Sequence, residues 1–220
     1  DGRVTPIPWR YFDNIGPAGS IMSTAADMAQ WARMLLAGGR FEGRRILDST
    51  TVAQMMAPQI PMDEWWARTM YNPEAHFIAY GLGWTLHDYR GRKVVEHTGE
   101  LHGMTAVLAL VPEERLGVVL LSNIDRPAMG SLRFLMALKL EVLDAYLGGR
   151  GRDWSTRFRR IDDEVRAARV SAPVAPAVQG PPARPLAAYA GEYHHPFYGA
   201  VRVRLEADRL RLVYGPAYRG

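Results

Sequence analysis

The side chains with the most chemical capacity in this chain lie close together, in the run Glu96-His-Thr-Gly-Glu-Leu-His-Gly-Met104. An imidazole (His97), a hydroxyl (Thr98) and a glycine (Gly99) are consecutive, flanked by the carboxylates Glu96 and Glu100. Imidazole changes charge near neutral pH, and a glycine lets a ligand come close to a strand backbone because no side chain blocks it. The two carboxylates invite a general-acid reading. They are four residues apart and share a face only if a strand runs unbroken through Gly99, so solvated charges are expected instead. His102 is a candidate pocket residue, with a turn histidine facing water as its competing role. Thiol chemistry is excluded, since the chain has no cysteine. Of the serines Ser20, Ser23 and Ser122, none has a lysine partner and none sits in Gly-x-Ser-x-Gly.

The elements that must position this run form a meander. Tyr80 to His87 reads as a strand, and Arg92 to His97 as a second after the turn Asp88-Tyr-Arg-Gly91. Met104 to Val111 and Leu116 to Ser122 follow as two apolar strands joined by the polar turn Pro112-Glu-Glu-Arg115. Upstream, Thr24-Ala-Ala-Asp27 has the form of a capping box, and Met28, Trp31, Ala32, Leu35 and Leu36 mark one buried helical face that ends at Gly38-Gly39. Asp48 or Ser49 caps a short helix stopped by Pro58. Gln59 to Phe77 has little periodicity and is expected to be a long loop. Its Trp65, Trp66 and Tyr71 are candidates for substrate contact, with pinning of the loop the competing role. Downstream, Pro127 opens a helix with a stripe of Leu135, Leu138, Val142, Ala145 and Tyr146, and Trp154, Phe158, Ile161 and Val165 mark another.

His97-Thr98-Gly99 resembles the third motif of the serine β-lactamase and DD-peptidase (penicillin-binding protein) superfamily, in which Lys-Thr-Gly or His-Thr-Gly lines the active site. The likeness extends over Tyr80-Gly-Leu-Gly-Trp84, Gly103, Val111 to Asn123 and Gly16 to Trp31, in the order of class C-like members, and covers roughly residues 14 to 148. It implies acyl-enzyme chemistry on a small ester, amide or peptide substrate, with no cofactor and no metal. It also implies roles. Thr98 would bind the substrate's carboxylate or carbonyl, Gly99 would leave room for it, and the Glu100 backbone N–H would be one oxyanion donor. His97 stands where many members have lysine; a mostly neutral imidazole anchors a penicillin-type carboxylate less well and shifts weight to esterase, amidase or D-amino-acid peptidase activity over β-lactamase activity.

The family's nucleophile, the Ser of Ser-x-x-Lys, is not in this chain. Its only lysines, Lys93 and Lys139, follow Arg90 and Met136 at that spacing. The chain is therefore expected to be the C-terminal portion of a larger hydrolase whose N-terminal portion is its first partner. A non-catalytic binding module that reuses half the fold is the alternative.

The expected fold is α+β. A three- or four-stranded antiparallel portion of the β-lactamase/transpeptidase-like sheet, flanked by helices, occupies residues 1–149. A helix and Pro-rich linker follow at 150–185, and residues 186–220 begin a small β-barrel-like domain that stops partway. There Leu186 to Tyr193, Ala200 to Leu205 and Arg209 to Tyr214 alternate as strands. His194 and His195 point to opposite faces of a strand and do not share an ion easily. The net charge of +4 comes from 27 basic residues, and the arginines of Arg150 to Arg169 alternate with acids as on a solvated helix face, which argues against nucleic-acid binding. No apolar run approaches the ~18 residues a membrane span needs. An extracytoplasmic location follows from the resemblance alone.

Overall fold

A computed structural model describes residues 4–8, 15–124, 130–149, 151–171, 180–196, 199–214 and 218–219. Trp9, Tyr11, Phe12, Pro127 and residues 172–179 of the Pro-rich stretch lie outside the described residues. The chain divides into two compact units, Asp1–Ser171 and Ala172–Gly220.

The first unit begins with a short turn α1 (Gly16–Gly19) and the helix α2 (Ala25–Leu36). Thr24 caps the helix as its sequence predicts. Thr24 Oγ1 accepts from Asp27 N–H at 3.1 Å and donates to Asp27 Oδ2 at 2.9 Å. Gly38 and Gly39, both at positive φ, end the helix. A small hairpin β1 (Arg40–Phe41) and β2 (Arg44–Arg45) leads to helix α3 (Ser49–Met55). Gln59 to Phe77 departs from a plain loop. It holds the edge strand β3 (Ile60–Pro61), the helical turn α4 (Glu64–Trp66) that Asp63 caps, and a π-helical turn at Ala67–Tyr71 closed by Asn72 N–H on Ala67 O. Local capping by Asp63 and burial of Ala67, Met70 and Tyr71 order a segment that lacks long-range periodicity.

The main sheet is an antiparallel meander of six strands in chain order: β3, β4 (Ile78–Tyr80), β5 (Thr85–Tyr89), β6 (Arg92–Leu101), β7 (Met104–Val111) and β8 (Leu116–Ser122). It is larger than the three or four strands expected. Tyr80 to His87 is two strands and not one, because Gly81 and Gly83 break the ladder between them, with Gly81 N–H bonded to Trp84 O. Helix α5 (Gly130–Leu147) and helix α6 (Trp154–Ser171) follow.

Both faces of this sheet are covered. Val95, Leu108 and Leu110 face Ala32, Leu35 and Val52 in one core, while Val94, Val107, Ala109 and Val118 face Leu132, Leu135, Met136, Leu140 and Leu143 of α5, with Trp154 and Phe158 of α6, in the other. Burying a side chain such as Leu contributes about 1.5–3 kcal/mol, so these two apolar layers hold the sheet between helices. Two expected stripes turn out rotated. In α2, Trp31 is 40 % exposed and Met34 is buried; in α5, Leu138 and Tyr146 face outward and Leu132, Met136, Leu140 and Leu143 face the sheet.

The second unit holds a 3-10 turn at Leu186–Tyr189, where a strand was expected to start, and an open antiparallel sheet in the order β12 (Tyr218–Arg219), β11 (Arg209–Tyr214), β10 (Gly199–Glu206), β9 (Gly191–His195). Val201, Val203 and Leu205 pair with Tyr214, Leu212 and Leu210, which makes one apolar face; Arg202 and Arg204 pair with Val213 and Arg211 on the other. None of the described residues of this unit is buried.

Candidate functional site

The sheet delivers the His97-Thr98-Gly99 run to the end of its longest strand. The ladder between β5 and β6 ends at Thr85↔Glu96, whereas that between β6 and β7 continues to Leu101↔Met104. From His97 onward, β6 has a strand neighbour on one side only among the described residues. The strand runs unbroken through Gly99, so Glu96, Thr98 and Glu100 share one face, and His97, Gly99 and Leu101 the other. Gly103, at positive φ, closes the two-residue turn to β7 that holds His102, which is exposed.

A groove of about 520 Å³ lies against this end of the strand. Gly99, Glu100 and Leu101 form one wall, the segment Pro17–Ser23 the opposite one, and Met104, Leu121 and Asn123 line the rest. The lining is mostly apolar, with Ile21, Met22, Met104 and Leu121 among the exposed large hydrophobic residues of the chain.

The expected site residues distribute around the strand. His97 is exposed and packs edge-on to Tyr80, with ring centroids 6.5 Å apart. Thr98 is half-buried, on the face that looks toward α5. Tyr71 sits in the core, 8 % exposed, where its hydroxyl accepts from Thr85 Oγ1 at 3.3 Å. Burial pushes the Tyr71 phenol above its ordinary range. Trp66 packs against the α5-side core, and Trp65 is 63 % exposed. The structure therefore puts Gly99 and Glu100 in the groove wall and Thr98 on the face toward α5, buries Tyr71 in the core, and leaves Trp65 on the surface.

Glu96 is not a solvated charge. It is 0 % exposed, together with His87 of β5 and Lys139 of α5. Lys139 Nζ donates to Glu96 Oε2 at 2.8 Å, to Glu96 Oε1 at 2.9 Å and to the Tyr71 carbonyl at 3.1 Å, and His87 Nε2 meets Glu96 Oε1 at 2.7 Å. Burial alone would raise the Glu96 carboxyl, but the charges of Lys139 and His87 and their hydrogen bonds outweigh it and hold the carboxyl below the usual range. Burial lowers the Lys139 ammonium, with Glu96 opposing. This trio escaped the reading of the sequence. The signal was Lys139 itself, one of two lysines, which falls in helical register with Leu132, Leu135, Met136 and Leu143. Among the described residues no cluster of His, Cys, Asp or Glu could hold a metal ion, and no helix is long and apolar enough to cross a membrane.

Residues 1–141 match the family described as beta-lactamase. The chain belongs to the beta-lactamase family. Residues 175–219 match a domain of unknown function, DUF3471, which covers the described sheet of the second unit. Over 221 residues the chain is 29 % identical to an unguisins hydrolase of Aspergillus violaceofuscus, matching 94 % of this chain and 38 % of that protein. It is 36 % identical over 127 residues to a beta-lactamase-like protein of Homo sapiens (57 % of this chain, 23 % of that one), and 33 % identical over 113 residues to penicillin-binding protein 4 of Amycolatopsis lactamdurans (49 % and 27 %). The chain thus spans well under half the length of these beta-lactamase-family relatives, which include a named hydrolase and a penicillin-binding protein.

Proposed function

We propose that this chain is the C-terminal portion of a beta-lactamase-family serine hydrolase that works through an acyl-enzyme, with residues outside the chain supplying the nucleophile and its base. The observation that carries this reading is the end of β6: His97 to Leu101 keeps β7 on one side and loses β5 on the other, and its last three residues, Gly99, Glu100 and Leu101, border a groove of about 520 Å³. A substrate carbonyl brought to such a strand end meets backbone donors without a side chain at Gly99 in the way. In this reading Thr98 binds the substrate's carbonyl or carboxylate, the Glu100 backbone N–H is one oxyanion donor, and the serine's own N–H is the other. His97 in place of lysine, and a groove wall of mostly apolar side chains, support a neutral ester, amide or peptide over a penicillin-type anion. The relative named as a hydrolase of unguisins supports hydrolysis as the reaction class. The exposed apolar residues Ile21, Met22 and Leu121 support a surface that the remainder of the hydrolase covers.

The test is turnover of p-nitrophenyl acetate, nitrocefin and a D-alanyl amide by this chain and by the longest natural protein that contains it. Turnover by the longer protein alone is the expected result, with the ester or amide ahead of nitrocefin. Turnover by the 220-residue chain would reveal a nucleophile within it. Inactivity of both would favour the non-catalytic binding module.

A further inference from the structure

The last rung that joins β5 to β6, Thr85 with Glu96, is fastened by buried polar groups from α5, from β5 itself and from the π-helical turn at Ala67–Tyr71. On the β6 side, the Glu96 carboxylate accepts from Lys139 Nζ of α5 on both oxygens, at 2.8 and 2.9 Å, and lies 2.7 Å from His87 Nε2, two residues along β5 from Thr85. On the β5 side, Thr85 Oγ1 donates to the Tyr71 hydroxyl at 3.3 Å. Lys139 closes the circuit by donating to the Tyr71 carbonyl at 3.1 Å. All five residues are buried, and the proposed chemistry uses none of them.

Net stability does not account for this arrangement, since apolar residues of equal volume commonly serve as well as a buried ionic group. Nor is it needed merely to hold α5, which has a second polar attachment at the opposite end of β5, where the Asp144 carboxylate accepts from Tyr89 and Arg90. Its place in the sheet is what sets it apart. The residue after Glu96 is His97, where β6 loses β5 and continues to Leu101 with β7 alone. A strand paired on one side has only half its ladder to direct it. Fixed bonds at its root then decide the direction in which it leaves the sheet.

We infer that Glu96 and Lys139 are positioning residues: by fixing the last rung between β5 and β6, they set where the free end of β6 holds the Glu100 backbone N–H. This rests on the reading of that N–H as an oxyanion donor, and it goes further by naming the groups that place it. Neither residue touches substrate in this scheme, because both side chains are without solvent exposure.

The first measurement needs no catalysis. Residual dipolar couplings of the backbone N–H groups, in the isotope-labelled 220-residue chain, report how each N–H is oriented in the frame of the folded sheet. Glu96→Gln combined with Lys139→Met leaves no lone buried charge. In that variant the couplings of Gly99, Glu100 and Leu101 are expected to depart from the wild-type frame while those of β8 still fit it. Asp144→Asn, at the other attachment of α5, is expected to leave Gly99 to Leu101 unchanged. If the pair does not fold, His87→Leu takes one partner from Glu96, keeps the Lys139–Glu96 pair, and should give a smaller departure at the same residues. Wild-type couplings at Gly99 to Leu101 in a folded variant would overturn the inference. So would departures spread evenly over the sheet, or equal ones in Asp144→Asn, since a purely structural role gives those.

The second measurement is the kinetics of the same variants in the longest natural protein, per active site counted by burst titration. An oxyanion donor acts in the transition state, so kcat and kcat/KM are expected to fall together by about 100-fold, the cost of a misplacement of about 1 Å. Wild-type kcat per titrated site would overturn the inference. A wild-type protein without turnover counts against the proposed function, and the dipolar couplings then decide this inference alone.

Discussion

Helix α5 is fastened to the sheet at two polar points, and they are built differently. At Lys139 the attachment is sealed: the ammonium, the Glu96 carboxylate of the motif strand and the His87 imidazole are all without solvent exposure. At Asp144, just over one turn further on, the attachment is a fan. The Asp144 carboxylate accepts from the Tyr89 hydroxyl, from Arg90 Nε at 2.7 Å and from the Trp154 indole N–H at 2.9 Å, and the Arg90 side chain is 24 % exposed. Burial together with the Asp144 carboxylate pushes the Tyr89 phenol up to about 12, while its three donors hold Asp144 below the usual carboxylate range against the effect of burial. The fan binds sheet, α5 and α6 into one unit, and water can reach its arginine. The sealed trio cannot exchange a lost partner for water, which makes it the more brittle of the two and the better suited to fix a geometry.

Breaking the sealed point should have the largest effect. Lys139→Met leaves Glu96 buried beside His87 without its ammonium, a change expected to cost about 3–5 kcal/mol, measured by urea unfolding at pH 7. Its pH dependence sharpens the comparison. A carboxyl that has lost its cation while still buried has its pKa raised. Between its unfolded and its folded pKa the folded variant then binds more protons than the unfolded chain, so the deficit should shrink as pH falls from 7 toward 5. A deficit that is constant with pH would mean that water enters the site. At the fan, Asp144→Ala removes one acceptor from three donors and is expected to cost about 2–3 kcal/mol, with Arg90 turning out to solvent. A larger loss at Asp144 than at Lys139 would invert the comparison.

How far these features could be read in the sequence follows from the kind of interaction each depends on. The helix cap at Thr24, the strands β7 and β8, and the α6 face of Trp154 and Phe158 depend on neighbours a few residues away, and they form where the pattern puts them. The break at Gly81 to Trp84 and the rotated faces of α2 and α5 depend on partners in other elements. In α5 nearly every position from Leu132 to Leu143 is apolar, so the stripe facing the sheet cannot be chosen by periodicity alone. The motif itself was legible because His97, Thr98 and Gly99 are adjacent. The trio was not, because His87, Glu96 and Lys139 meet only after three hairpin turns and a helix have been placed, and an acid next to a motif reads as surface until a helix is known to lie over it.

Acid separates the two attachments more gently. In wild type, Glu96, Asp144 and Asp88 all have carboxyls held below their ordinary range; for Asp88 the effect of burial is outweighed by hydrogen bonds from His76 and Phe77. A carboxyl with a depressed folded pKa stabilises the chain at all pH values above its unfolded pKa of about 4, and that stabilisation is lost as pH falls through the folded value. The thermal midpoint should therefore stay level from pH 7 to about 5 and fall below about 4, the opposite slope to the one expected for the Lys139→Met deficit. Asp144→Asn should remove part of this acid sensitivity and leave the part that belongs to Glu96.

The smallest effect is expected where water has full access. Arg160 and Glu164 are paired at 3.7 Å on α6 with side chains 71 % and 67 % exposed. Each is already hydrated in the unfolded chain, and closing the pair restricts two long side chains, so Glu164→Ala should change stability by less than about 0.5 kcal/mol and by still less in high salt. Three ion pairs joined to two helices of one unit would then span the whole range from negligible to severe, with burial of the partners, and not the distance between charges, setting the order. An exposed pair worth as much as the Asp144 fan would break that ordering.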